Sequence, residues 1–280
     1  MMLNWDHAAV LALVLAITGT VVRPAGRRGL AVATAVCRET GLVLALYSIW
    51  QLAGRLSLLR LDDAKGHALW LWDVERFLHL PSEVSLQHWF LPHPIIVKAF
   101  NIYYATMHFP GLIVFLIWLW ARHREHYPPV RNVVAMVTAA CLLIQLIPVA
   151  PPRMFPDLGF VDTAIRYNQS VYNIGGSGFA DQLSAMPSVH VGWAVLVALF
   201  AIKISTSPWR WLVLVHTALT ILIVTVTANH WWLDGVFAVM LLGLAMVVER
   251  WSRMVITRIR ARPVMTPVLV GAPSVSVARE

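Results

Sequence analysis

The chain has 280 residues, of which 59% are hydrophobic and 13% charged, with a formal net charge of +8 and a mean hydropathy of +0.68. A soluble chain carries about a quarter charged residues, so this composition excludes an ordinary soluble domain and points to an integral membrane protein. The positive balance does not indicate a nucleic-acid partner, because the basic residues fall in short clusters between apolar runs, as in loops facing a cytoplasm and anionic lipid.

A helix needs about 20 mainly apolar residues to cross the hydrocarbon core. The first run of that kind covers Trp5 to Val22 and stops at Arg23-Pro24. No basic leader precedes it and no convincing cleavage signal follows, which predicts a retained first span. The second covers Leu30 to Ala53 and embeds Arg38 and Glu39. Charges at such a place pair inside the bundle or sit at its boundary, and an interfacial ion pair is favoured over a catalytic role. From Gly54 to Pro94 aromatic and charged residues alternate, as in Trp70-Leu71-Trp72-Asp73 and Gln87-His88-Trp89. This predicts short amphipathic helices on the bilayer surface, their tryptophans serving as anchors rather than guiding a lipid to a site.

Ile95 to Trp120 reads as a third span, polar in its first half with Lys98, Asn101, Tyr103, Tyr104 and His108. Tyr104 and His108 share a helix face, and polar side chains inside a span face a cavity or a partner helix. Val130 to Val149 is the fourth. A loop then runs to Ala185 through Arg153, Arg166, Tyr167, Asn168 and the glycine-rich 175–178. Pro187 to Ile204, Trp209 to Ala228 and Trp231 to Glu249 complete the set, and a basic Pro/Val/Ser tail follows. The fold expected is therefore all-α, a polytopic membrane bundle of six to seven transmembrane helices. Residues 1–94 hold the first helices and the interfacial segment, 95–250 the core, and 251–280 a disordered cytoplasmic tail. Cys37 and Cys141 lie in apolar runs without metal-ligand spacing and read as packed thiols.

Charge sets the sidedness. With seven spans, the regions holding Arg23, Arg27 and Arg28, then Arg122, Arg124 and Arg131, then Lys203 and Arg210, and finally the arginine-rich C-terminus share one side, the cytoplasmic one. Three polar clusters fall together on the opposite side. The first is Ala150-Pro151-Pro152-Arg153-Met154. The second is Ala185-Met186-Pro187-Ser188-Val189-His190, whose helix start offers unpaired N–H groups and a positive dipole end to an anion, with Pro187 fitting the first helical turn. The third is Asn229-His230-Trp231-Trp232-Leu233-Asp234. His230 and Asp234 stand one turn apart, so the carboxylate can hold one imidazole nitrogen and leave the other as a nucleophile. A His–Asp pair gluing two helices is the rival reading; a metal site lacks further ligands at suitable spacing.

In that order, the three clusters resemble the type 2 phosphatidic acid phosphatase superfamily, and most closely its branch of inositol phosphorylceramide and sphingomyelin synthases. The resemblance runs from Ile95 to Val248. It departs from the broad family at three points: Leu146 stands where a lysine precedes the arginine, Val189 replaces a glycine, and Ile223-Val224 replace Ser-Arg. This reduced cation set is similar to that of the lipid phosphotransferase branch.

The resemblance implies a metal-independent enzyme without cofactor that cleaves a lipid phosphoester at the extracytoplasmic face of the plasma (inner) membrane. His230 would attack phosphorus and form a phosphohistidine, with Asp234 orienting its ring. His190 would protonate the leaving oxygen and then activate water or an acceptor hydroxyl. Arg153 and Ser188 would hold the phosphate oxygens, and Asn229, Tyr104 and His108 are candidate substrate contacts. The partners implied are a membrane lipid and, for transfer, a polyol or lipid acceptor; hydrolysis and transfer use the same residues. The alternative is a non-catalytic lipid or solute transporter on the same core, against which the chain shows no inverted repeat.

Overall fold

The computed structural model describes residues 4–22, 28–57, 61–169, 183 and 185–260. The glycine-rich stretch 175–178 and the tail beyond 260 lie outside the described residues. Within them the protein is all-helical: α1 (Trp5–Val21), α2 (Arg28–Ser57), α3 (Leu61–Phe77), α4 (Glu83–Phe90), α5 (Pro94–Thr106), α6 (His108–Arg122), α7 (Tyr127–Ile144), α8 (Thr163–Arg166), α9 (Val189–Ile204), α10 (Leu212–Val226) and α11 (Trp232–Arg260). Among the described residues four helices are long and apolar enough to cross a membrane: Arg28–Leu52, Tyr127–Ile144, Pro208–Val226 and Trp232–Ile259, the third including a 3₁₀ turn. They become five if α5 and α6 form one bent span; Trp5–Val21 and Val189–Ile204 are apolar but shorter.

The third span expected from Ile95 to Trp120 is broken between α5 and α6. The two axes meet at 51°. Proline has no N–H for the bond to the residue four before it, and its ring clashes with that carbonyl. Pro110 therefore conflicts with Thr106, where α5 ends. The helix restarts at His108.

α1 and α2 form an antiparallel hairpin packed through small residues. A Cβ added at Gly41 would stand 3.1 Å from the Ala12 carbonyl, and one at Gly19 would stand 2.5 Å from Arg38 Cγ. Such close approach is how helices gain contact in lipid, where the hydrophobic effect gives no drive between them. The hairpin docks on α7, where Glu39 accepts an ion-paired hydrogen bond from Arg131. Glu39 is thus in an ion pair, but with Arg131 of another helix and not with its neighbour Arg38.

Two apolar clusters hold the remainder. The first joins Leu112, Phe115 and Leu119 of α6, Val133 and Val137 of α7, Leu196 of α9, and Leu242 and Ala245 of α11. The second lies at the other end of these helices and joins Ala64, Ala68 and Leu71 of α3 with Val149, Phe155, Phe160, Ala228 and Trp231. The described helices of the 54–94 interval, α3 and α4, bury one face against the protein. Their tryptophans divide. Trp70 and Trp89 are exposed, whereas Trp72 is not an anchor: it meets Phe160 and Trp231 edge-on at 5.8 and 6.0 Å between ring centroids.

Candidate active site

α9 begins at Val189, two residues later than the proline suggested. Ser188 is its N-cap, with its hydroxyl accepting the Val191 N–H, so Pro187 lies outside the helix and not in its first turn. The Ser188 N–H donates to the Asp234 carbonyl at 3.0 Å, which ties the start of α9 to the start of α11. Ser188 is wholly buried.

The chain between α10 and α11 folds back on itself. Ala228 takes a left-handed conformation, and both Asn229 N–H and His230 N–H reach the Val224 carbonyl, at 3.0 and 3.3 Å. Trp231 N–H then donates to Asp234 Oδ2 at 2.8 Å, so Asp234 caps its own helix. This turn presents His230 sideways to α9.

His230 Nδ1 lies 2.7 Å from the Ala185 carbonyl and 3.3 Å from Asp234 Oδ2. A carbonyl only accepts, so Nδ1 carries the proton and Nε2 keeps its lone pair in the neutral ring. The nearer partner is the Ala185 carbonyl, with Asp234 flanking it. Nε2 in turn lies 3.2 Å from His190 Nδ1, so α9 meets the turn before α11 through two imidazoles.

The bend after α5 adds a wall. The Tyr104 ring lies 4.7 Å from the ring of His190 and 6.4 Å from that of His230, and the His108 ring lies 4.5 Å from His190. The two residues occupy different helices, yet His108 Nδ1 still donates to the Tyr104 carbonyl at 3.2 Å. Beyond them His216 of α10 pairs with the Tyr103 hydroxyl and stands 6.3 Å from His108, ring to ring. His216 was not singled out from the sequence; its signal was an ionisable side chain inside an apolar run.

Arg153 follows Pro151-Pro152 in a 3₁₀ turn, and its own N–H donates to the Ala228 carbonyl at 2.9 Å. Its guanidinium is buried between Asn229 Oδ1, at 2.9 Å, and Asp162 Oδ2, at 3.3 Å. Asn229 is further held by Thr227 Oγ1 at 2.8 Å, so the residue before His230 is clamped on both sides. Asp162 also escaped the sequence reading, since no spacing connects it to Arg153. Lys98 is not part of this group; its ammonium lies 5.4 Å from the ring of Tyr167. Ile223 and Val224, which stand where the broad family has Ser-Arg, are buried at 1% and 3% exposure.

The structure thus brings together His230, His190, Asp234, Tyr104 and His108, and attaches Arg153 through Asn229. Among the described residues no group of three or more His, Cys, Asp or Glu side chains could hold a metal ion.

The helical bundle thus has two imidazoles in contact at one end, with a buried arginine joined to them through Asn229. The family model described as PAP2 superfamily matches residues 69–248, and the chain belongs to that superfamily. Its members are generally phosphatases, which makes this protein a phosphatase-like lipid phosphoesterase by class. No curated protein and no solved structure matches the chain.

Proposed function

We propose that this protein cleaves a phosphoester of a membrane lipid through a phosphohistidine on His230. One observation carries the reading: His230 has Nδ1 fixed by the Ala185 carbonyl and Asp234, while Nε2 points at His190 Nδ1 from 3.2 Å. A nucleophile with one nitrogen held and the other turned to a second imidazole is the arrangement covalent phosphoryl transfer needs.

In the first step the Nε2 lone pair forms the N–P bond as the P–O bond to the leaving group breaks, and His190 gives that oxygen a proton. Entry of the phosphoryl group replaces the contact between the two rings. In the second step His190 takes a proton from water or an alcohol, whose oxygen attacks phosphorus and frees His230. Asp234 stabilises the charge that Nδ1–H carries after attack. Arg153 and the donors around Ser188 hold the equatorial oxygens, with positioning and fixed charge supplying most of the barrier reduction. Asn229 holds the arginine, and Tyr104 and His108 line the substrate side of His190.

The acceptor is read from what the site lacks. Leu146, Ile223 and Val224 leave fewer cations for a free phosphate product, which favours transfer to a polyol or lipid hydroxyl, as in the inositol phosphorylceramide synthase-like branch. The basic clusters, read by the positive-inside rule, support a site on the extracytoplasmic face of the plasma membrane and a cytoplasmic C-terminus. The test is purified protein in mixed micelles with a lipid phosphoester, with and without a polyol. A new head-group lipid supports transfer and free phosphate supports hydrolysis. Neither product, in folded protein, would overturn the reading.

A further inference from the structure

Behind the first turn of α11 lie two carboxyl groups that the phosphoryl chemistry leaves unused. Glu75, near the end of α3, and Glu83, at the start of α4, are both 0% exposed. Burying a carboxylate is costly unless its oxygens are matched. Glu75 Oε1 accepts the Leu233 N–H at 2.8 Å, and Glu83 Oε2 accepts from Arg76 Nη2 at 2.9 Å. The remaining oxygens, Glu75 Oε2 and Glu83 Oε1, are buried without a donor. The two side chains nevertheless lie within hydrogen-bond reach of each other. Two ionised carboxylates only accept, so they cannot bond; one proton on Glu75 Oε2, donated to Glu83 Oε1, satisfies both oxygens at once. The Arg76 guanidinium bonded to Glu83 leaves Glu75 as the member that holds the proton.

We propose that Glu75 and Glu83 share one proton in a buried carboxylic acid–carboxylate clasp, which fixes the first turn of α11 and thereby aims His230. Glu75 is then a positioning residue. It grips Leu233, the neighbour of Asp234, from a helix remote in sequence. The catalytic consequence rests on the proposed role of His230; the clasp itself does not.

The charged and titratable groups facing the clasp are Arg76 of α3, Glu83 of α4 and Asp234 of α11, with His230 beyond Asp234. Burial first, then the bond and charge of Glu83, raise the Glu75 carboxyl to about 9; the Leu233 bond opposes this and the Asp234 charge adds to it. Above that range three carboxylates would stand close together with Arg76 bonded to one of them, and the grip on Leu233 would weaken.

The folded chain holds a proton on Glu75 that the unfolded chain, with an ordinary carboxyl, releases near pH 4.5. The stabilisation is therefore complete below that pH, declines as pH rises, and is gone above about 9. The test uses full-length protein in detergent with Glu75→Gln and Glu75→Ala. Glutamine accepts from Leu233 and donates to Glu83 at every pH. Between pH 6 and pH 10 the wild-type melting temperature should fall by about 5 °C or more beyond any fall in Glu75→Gln. With a lipid phosphoester at pH 7, Glu75→Ala should lower kcat about tenfold or more with KM within about twofold. Glu75→Gln should restore kcat to within about twofold and remove the alkaline loss. Equal melting slopes in wild type and Glu75→Gln would overturn the clasp, as would equal impairment of the two variants. Should Glu75→Ala fail to fold, the Glu75→Gln comparison decides. Should the protein cleave no lipid phosphoester at all, the melting arm still tests the clasp, so the two failures are distinguishable.

Discussion

The α1–α2 hairpin and the end of the bundle that carries the histidines are held together by different physics. In the hairpin, small residues bring backbones close, and the outward positions are bare aliphatics such as Val10, Leu13 and Val32, each more than 60% exposed. At the histidine end, buried side chains bond to backbone and side chains remote in sequence. Gln87 alone bonds the Val161 N–H and carbonyl, both at 2.9 Å, and the Val226 carbonyl at 3.0 Å. Asn101 accepts from Thr163 Oγ1 at 2.8 Å and donates to its carbonyl at 3.2 Å. Non-directional packing makes a hairpin that can tolerate small shifts. Directional bonds set positions to fractions of an ångström, which a nucleophile requires.

That contrast can be broken at its strongest point first. His230→Ala removes the attacking nitrogen while leaving the fold intact, and turnover should fall by about 10⁴-fold or more in a steady-state assay, with an unchanged melting temperature to within a few degrees. Gln87→Leu keeps the volume but strands an N–H and two carbonyls. It should cost about 3 kcal/mol, read from denaturation in mixed micelles, and should lower activity too because Val226 leads into the His230 turn. Gly41→Leu forces a side chain against the Ala12 carbonyl. About 1–3 kcal/mol of lost stability is expected, with kcat unchanged, because the hairpin does not touch the histidines. Val14→Ala, at a position 51% exposed, should change stability by less than about 0.5 kcal/mol. Should Gly41→Leu cost more activity than Gln87→Leu, the division between the two regions fails.

What could be read from the chain itself was local. The short spacing of His230 and Asp234 made their meeting legible, although His230 lies in the turn before α11 and not on the helix itself. The all-helical architecture and its membrane character follow from apolar runs and few charges. The break at Thr106 was also written in the sequence as Pro110, but a long apolar run concealed it. The missing parts were partnerships across long stretches of chain. No spacing reveals that the Ala185 carbonyl holds His230 more closely than Asp234 does, that Asp162 meets Arg153, or that Glu39 chooses Arg131 over its neighbour. The Glu75–Leu233 bond joins residues on α3 and α11, and reading α3 as an amphipathic surface helix gave that carboxylate no partner. Buried polar groups matched by remote backbone are legible only once the fold has brought them together.

The central claim is that His230 Nε2 takes the phosphoryl group. It is tested most directly by mixing the protein with a lipid phosphoester carrying labelled phosphorus, quenching within milliseconds in alkali, and mapping the label by peptide. Label on the peptide containing His230, acid-labile and base-stable as a phosphoramidate is, and absent from His230→Ala, is the expected result. Label on another residue, or full turnover in folded His230→Ala, would contradict the account.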